Sequence, residues 1–302
     1  RPGTGRDPGM SEAAQWELAV AAHDQIGEGP SWDDGDQSLL WVDIAGQRIW
    51  RRDPADGSTW QRTFDQMAGA VLPRAAGGLA LCLQDGVWLT DTDEGPVRRL
   101  VAIEPDDPDT RLNDVKVDRA GRLWGGTMAL DARVDAGAFY RIGADGSVGV
   151  IARPTTISNG IDWSPDDGLM YYIDSATHRV DVFDFDLASG TALDRRPLIR
   201  FEESAGLPDG MTVDAEGCLW VAFYDGWAVR RYTPAGSLDR VIRLPAARIT
   251  SCAFGGPDLA DLYVTSATAG LTESQLAEQP HAGGLFVIRP GVAGLPSTPF
   301  AG

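Results

Sequence analysis

The sequence predicts an all-β fold, a six-bladed β-propeller whose N- and C-terminal strands close the last blade. Three observations predict it: an aromatic-centred phrase returns six times, Asp/Gly turn clusters stand before most copies, and helical periodicity is nearly absent. The phrase reads Leu39-Leu40-Trp41-Val42-Asp43, Gly86-Val87-Trp88-Leu89-Thr90, Arg122-Leu123-Trp124-Gly125-Gly126, Tyr171-Tyr172-Ile173-Asp174, Cys218-Leu219-Trp220-Val221-Ala222 and Asp261-Leu262-Tyr263-Val264-Thr265. Its anchors, Trp41, Trp88, Trp124, Tyr172, Trp220 and Tyr263, lie 47, 36, 48, 48 and 43 residues apart. Propeller blades repeat every ~40–50 residues.

Trp32-Asp33-Asp34-Gly35-Asp36, Asp118-Arg119-Ala120-Gly121, Ser164-Pro165-Asp166-Asp167-Gly168 and Asp214-Ala215-Glu216-Gly217 mark hairpins. Alternating strands follow several anchors, as in Arg48-Ile49-Trp50-Arg51-Arg52 and Val180-Asp181-Val182-Phe183-Asp184-Phe185. The exception to β patterning is Thr272 to Glu278, where Thr272 and Gln275 fit a capping box and Pro280 follows. A β-sandwich does not repeat such a phrase six times. Closing the ring requires the chain ends to share a blade, because an open blade leaves a bare sheet edge. Residues Trp16 to Ala21 are therefore expected to pair with Gly284-Leu285-Phe286-Val287-Ile288. Residues 1–15 are expected to be a leader outside the fold, and residues 16–302 one propeller domain.

The net charge of −18 opposes binding to nucleic acid or to an anionic membrane. No apolar run reaches the length of a membrane span, and Leu18-Ala19-Val20-Ala21-Ala22 is too short for a signal-peptide core, so a soluble, cytoplasmic protein is expected. Cys82, Cys218 and Cys252 are odd in number and lack CxxC spacing, so buried, inert thiols are expected. Nothing points to an obligate protein partner.

Repetition also aligns polar residues. In a propeller the first strand of each blade lines the central channel, so equivalent positions converge there. Glu28 and Asn159 lie 13 residues before their anchors, Asn113 and Asp209 lie 11 before theirs, and Thr250 and Ser251 fall similarly before Tyr263. Asx-Gly and Glu-Gly pairs are also ordinary turn residues, but four at one phase of a repeat favour a shared site. Two converging carboxylates repel unless a cation or proton intervenes, and oxygen donors suit a hard divalent cation. Arg111 lies two residues before Asn113, on the same strand face, where it can bond hydroxyl or carbonyl oxygens. A structural salt bridge to Asp114 or a neighbouring acid is the alternative. Turns after the aromatic strands, including Asp43-Ile44, Thr127-Met128, Ser175-Ala176-Thr177 and Tyr224-Asp225-Gly226-Trp227, are expected at the pocket rim.

His23, His178 and His281 stand in no triad context, no GxSxG motif is present, and no GxxxxGK loop occurs. What remains is a metal, carboxylates and an arginine. An open metal site polarises a carbonyl and activates water, and Asp209 can serve as general base.

Gly27-Glu28-Gly29-Pro30-Ser31-Trp32, Arg111-Leu112-Asn113-Asp114-Val115-Lys116-Val117-Asp118, Ser158-Asn159-Gly160-Ile161-Asp162-Trp163-Ser164 and Pro208-Asp209-Gly210-Met211 resemble signature segments of the senescence-marker-protein/regucalcin/gluconolactonase family, which includes luciferin-regenerating-enzyme-like proteins. The likeness continues through Ser251-Cys252-Ala253-Phe254-Gly255-Gly256 and Gln279-Pro280-His281-Ala282-Gly283-Gly284-Leu285-Phe286. The resemblance implies metal ligation by Glu28, Asn159 and Asp209, substrate contacts from Arg111 and Asn113, and Asp209 as general base. It implies hydrolysis of sugar lactones such as gluconolactone, with calcium, zinc, manganese or magnesium as the single divalent cation. Asp131, in Met128-Ala129-Leu130-Asp131, stands where the regucalcin branch carries Glu, so a substrate contact there is shortened. The alternatives are a calcium-binding regulatory propeller without turnover and a metal-dependent ester or phosphotriester hydrolase using the same site.

Overall fold

The computed structural model describes residues 16–302; the expected leader, residues 1–15, lies outside them. Six antiparallel four-stranded sheets form the blades. Their inner strands are Gly27–Asp33, Ala68–Pro73, Thr110–Val117, Ser158–Trp163, Leu207–Val213 and Ile249–Gly255, for blades one to six. The strands Ser38–Asp43, Leu79–Leu83, Leu123–Ala129, Leu169–Asp174, Leu219–Tyr224 and Asp261–Ser266 pair next to them. Closure follows the sequence expectation: Trp16–Val20 pairs antiparallel with Leu285–Ile288, in the register Trp16 to Ile288, Glu17 to Val287 and Leu18 to Phe286. The edge left by blade six is thereby covered.

Each pair of neighbouring blades encloses its own apolar cluster. Trp124 and Phe139 meet Trp163, Met170 and Tyr172 between blades three and four, while Trp220 meets Phe254 and Phe286 between five and six. Past Ile288 the chain crosses the base of the ring. There Gly294 N donates to Leu259 O at 2.8 Å, and fully buried Phe300 seals the cluster between blades two and three. The one α-helix among the described residues, Glu273–Glu278, carries the expected Thr272/Gln275 capping box. Among the described residues no helix is long and apolar enough to cross a membrane. Cys82, Cys218 and Cys252 are buried free thiols, and burial pushes Cys82 and Cys252 up to about 12.

Three of the anchors need correction. Trp88 belongs to the third strand of blade two, Gly86–Thr90, and Leu81 occupies its expected place on the second. The short 36-residue step is thus a strand misassignment. Trp124 and Trp220 pair with Lys116 and Thr212 on the inner strands, but the equivalent pairs elsewhere are Ser31 with Leu40 and Asp162 with Tyr171. Trp41 and Tyr172 are therefore one residue out of phase. A one-residue step turns a side chain to the other sheet face, so both pack back against the preceding blade.

Candidate metal centre and substrate pocket

Antiparallel pairing brings the start of each inner strand and the end of the second strand to one mouth of the channel, as in Gly27 with Asp43 and Thr110 with Ala129. Every inner strand is bulged near this mouth: between Glu28 and Ser31, Ala68 and Ala70, Leu112 and Val115, Ser158 and Ile161, Pro208 and Met211, and Ile249 and Cys252. A bulge re-aims a side chain that the pleat would otherwise send to a sheet face. Asn113, Asn159 and Asp209 lie within these bulges and Glu28 at the edge of one. Sequence reading missed this device; its signal is the X-Gly pair recurring as Glu28-Gly29, Asn159-Gly160 and Asp209-Gly210.

The four side chains are all buried, none more than 8 % exposed. Glu28 Oε2 accepts from Gly29 N at 2.7 Å. The Asn159 amide donates through Nδ2 to Ser175 Oγ at 3.0 Å, which leaves its Oδ1 buried without a partner. Asp209 adjoins both, and the neighbouring Asn159 and Glu28 side chains act on its carboxyl. Asn113 accepts from Arg111 Nη1 at 2.6 Å through Oδ1 and donates from Nδ2 to Ser158 O at 2.7 Å. Arg111 also reaches Leu112 O at 3.2 Å and Met128 Sδ at 3.2 Å. Its partners are these groups, not Asp114.

Burial first, then repulsion from Asp209 and Asp114, raises the Glu28 carboxyl well above its ordinary range. Burial and Asp114 do the same to Asp209. Desolvation lowers Arg111 to about 10, with Glu28 and Asp209 pulling the other way, so its guanidinium stays charged at neutral pH. A raised carboxyl pKa means that the folded state holds its proton more tightly than the unfolded chain, whose carboxyls titrate near pH ~4. In the metal-free protein this contribution is most favourable below that pH and is lost as pH rises through the folded values. Thermal melts of chelator-treated protein should show this loss, and a divalent cation should reverse it at the alkaline end.

The residues fit a hard divalent cation. An orphaned amide oxygen lies beside two carboxyls raised by their burial and by neighbouring acids, all oxygen donors, with no thiol or imidazole among them. A second cluster of ligand types, Asp214, Glu216 and Cys218, lies toward the other mouth, but Asp214 and Glu216 are already bound to Arg231.

Other expected rim residues divide. Asp43 is fully buried and spent on the backbone of Gln25, Ile26 and Gly46 and on Arg48, so it does not face the pocket. Trp227 is 40 % exposed in the turn after Tyr224. Asp131 stands on the loop that follows Ala129, with its side chain 67 % exposed and an ion pair to Arg133 at 3.3 Å. It lies at the same mouth as Arg111 but outside the buried cluster.

Residues 26–268 match the family described as the SMP-30/Gluconolactonase/LRE-like region. Regucalcin of Danio rerio is 39 % identical over 290 residues, covering 95 % of this chain and 98 % of that protein. YvrE of Bacillus subtilis (strain 168), which carries the provisional name of a sugar lactone lactonase, is 38 % identical over 278 residues, covering 92 % and 95 %. Among solved structures, a regucalcin of Agrobacterium tumefaciens described as a calcium-binding protein superposes with a TM-score of 0.92 at 27 % identity, covering 95 % of this chain and 97 % of that one. A six-bladed ring, an inward oxygen cluster and a match along most of the chain agree, and the protein belongs to the SMP-30/gluconolactonase/LRE-like family.

Proposed function

We propose that the protein is a metal-dependent lactonase that hydrolyses sugar lactones at the bulged mouth of the channel. The observation that carries this reading is the buried oxygen cluster of Glu28, Asn159 and Asp209, with the orphaned Asn159 Oδ1, beside the Arg111–Asn113 pair. Sugar lactone hydrolysis is also the activity in the name of YvrE. Glu28, Asn159 and Asp209 would hold the divalent cation, which when bound would supply Lewis-acid polarisation of the lactone carbonyl.

The chain's own groups do the rest. Arg111 donates to ring or hydroxyl oxygens, with its free donors set by the bond to Asn113. Asn113 is fixed in turn by Ser158 O, so the pair is preorganised before substrate arrives. Asp209 accepts a proton from the attacking water and returns it to the ring oxygen as the C–O bond breaks, giving the aldonic acid.

Arg111→Met is expected to raise KM for the lactone ~10–100-fold with a smaller change in kcat, because a charged, buried hydrogen-bond donor is worth ~1.5–3 kcal/mol. We also assign Asp131 a rim contact to a substrate hydroxyl. Since that carboxylate is exposed, Asp131→Ala should change KM no more than ~3-fold, the scale of one solvent-screened hydrogen bond. Steady-state kinetics on both variants checks these values. The test of the whole reading is a series of aldonolactones, including D-glucono-1,5-lactone, assayed by acid release with calcium, magnesium, manganese or zinc added to chelator-treated protein. Cation-dependent hydrolysis supports the assignment. Tight cation binding with no turnover of any lactone leaves the binding propeller, and turnover confined to other esters leaves the ester hydrolase.

A further inference from the structure

Three residues beyond the buried cluster, a second polar layer lines the channel at the same phase of the repeat. Lys116 is three past Asn113, Asp162 three past Asn159 and Thr212 three past Asp209. All three line one cavity in the channel, whose far mouth is capped by Leu295-Pro296-Ser297-Thr298. They bond to one another across three blades. Lys116 Nζ donates to Asp162 Oδ2 at 2.5 Å and to Thr212 Oγ1 at 3.3 Å. Thr212 Oγ1 donates to Asp162 Oδ2 at 3.1 Å, and Val213 N donates to the same oxygen at 2.8 Å. Trp163 N holds the other oxygen at 2.8 Å.

No two of these residues share a strand. Lys116 stands on Thr110–Val117, Asp162 on Ser158–Trp163 and Thr212 on Leu207–Val213, and these same strands carry Asn113, Asn159 and Asp209. Within each blade the backbone ladder fixes its strands. Between blades the inner strands share no sheet ladder, so spacing across the channel depends on packing and on cross-blade bonds of this kind. The bulges above leave the ligand-bearing segments without regular ladder bonds, which makes that spacing matter most at this height.

We propose that Lys116, Asp162 and Thr212 act as a positioning brace, locking the inner strands of blades three, four and five at the separation that lets Asn159 and Asp209 share one cation and places Asn113 beside it. The proposal rests on the metal-site reading above. It goes further in giving a role to a salt bridge that touches neither cation nor substrate.

Charge and position make opposite demands on Lys116. If its ammonium acted on the cation only through its field, removing it would tighten cation binding, since a positive charge beneath the site repels another. If it acts as a brace, removing it loosens binding, as lost outer-shell partners of a metal site do by ~10–100-fold.

The decisive experiment measures the dissociation constant of calcium and of manganese by calorimetry on the full chain, with the metal-free melting temperature recorded in parallel. Lys116→Met is expected to weaken binding ~10-fold. The double variant Lys116→Met/Asp162→Asn keeps the net charge and leaves no half-buried ion unpaired; it is expected to weaken binding to a similar degree. Lys116→Arg, which can still span Asp162 and Thr212, should recover most of the affinity. Should the single variant fail to fold, the double variant and the near-isosteric Thr212→Val decide the matter, the latter with an expected loss of at least ~3-fold, since it removes the bonds to Asp162 and Lys116 while leaving their salt bridge. Tighter binding in Lys116→Met, or affinities within twofold of the parent in the double variant and Thr212→Val, overturns the brace. A lower melting temperature with unchanged affinity also overturns it, because the triad then serves only folding. A parent protein that binds neither cation removes the metal-site reading and the brace with it, which is a different result from a parent that binds while the variants do too.

Discussion

Asp209→Ala is expected to abolish cation-dependent lactone hydrolysis, with kcat/KM reduced at least ~10⁴-fold, because one substitution removes both a charged cation ligand and the proton acceptor. Asp209→Asn separates the two roles. It retains an oxygen that can face the cation but cannot take a proton, so binding should persist, weakened by ~10–100-fold, while kcat falls by ~10²–10⁴. Neither variant should destabilise the metal-free fold. The Asp209 carboxyl is raised by burial and by the charge of Asp114, and Glu28 stands against it, so removing a carboxylate relieves repulsion. Calorimetry with cation, initial rates of acid release, and melts of chelator-treated protein check the three statements separately. An Asp209→Asn enzyme with parental kcat would remove Asp209 from the chemistry.

Asp214→Ala should do the reverse, costing ~2–4 kcal/mol of stability through buried donors left unpaired and roughly 5–10 °C in Tm, with little effect on cation affinity. Asp214 is fully buried. Its Oδ1 accepts from Glu216 N and Cys218 N, both at 3.0 Å, and its Oδ2 accepts from Trp220 Nε1 at 2.9 Å and Arg231 Nε at 2.8 Å. Removing the carboxylate leaves Arg231 Nε, a buried indole N–H and two backbone N–H groups without their acceptor, while Glu216 and Asp239 still hold the rest of the guanidinium. Asp118 repeats the device in blade three with Ala120 N, Arg122 N, Arg122 Nε and Trp124 Nε1. An Asp that closes the hairpin and anchors the tryptophan of the next strand is thus a blade-building unit. The acids around Asp214 are therefore not expected to hold a cation, and a titration that finds a second tight site lost in Asp214→Ala would contradict this.

Much of the molecule was legible because a propeller writes its architecture as a period. The aromatic strands, the Asp/Gly hairpins, the capped helix at Thr272 and the pairing of the two chain ends follow from patterns within ~50 residues and from the need to cover a sheet edge. That Glu28, Asn113, Asn159 and Asp209 belong to one mouth of the channel was legible for the same reason, since equivalent positions of a cyclic repeat converge; the choice of Glu28, Asn159 and Asp209 among them as ligands came from the family resemblance and is part of the proposal. Errors arose where phase alone was used. Trp88 looked like a second-strand anchor because blade two has Leu81 there, and Trp41 and Tyr172 looked in phase because a one-residue difference in the hairpin is invisible until strands pair.

Composition and periodicity alone determined that this chain is a ring of β-blades with an acidic oxygen cluster at one mouth, since both depend on residue type and spacing. Only the tertiary structure decided how that cluster is held: the bulges that turn Asn113, Asn159 and Asp209 inward, the Ser175 bond that leaves Asn159 Oδ1 bare, and the Lys116–Asp162–Thr212 layer beneath. Bulges and cross-blade bonds arise from how separate strands meet, and no local pattern along one strand records the register of its neighbour.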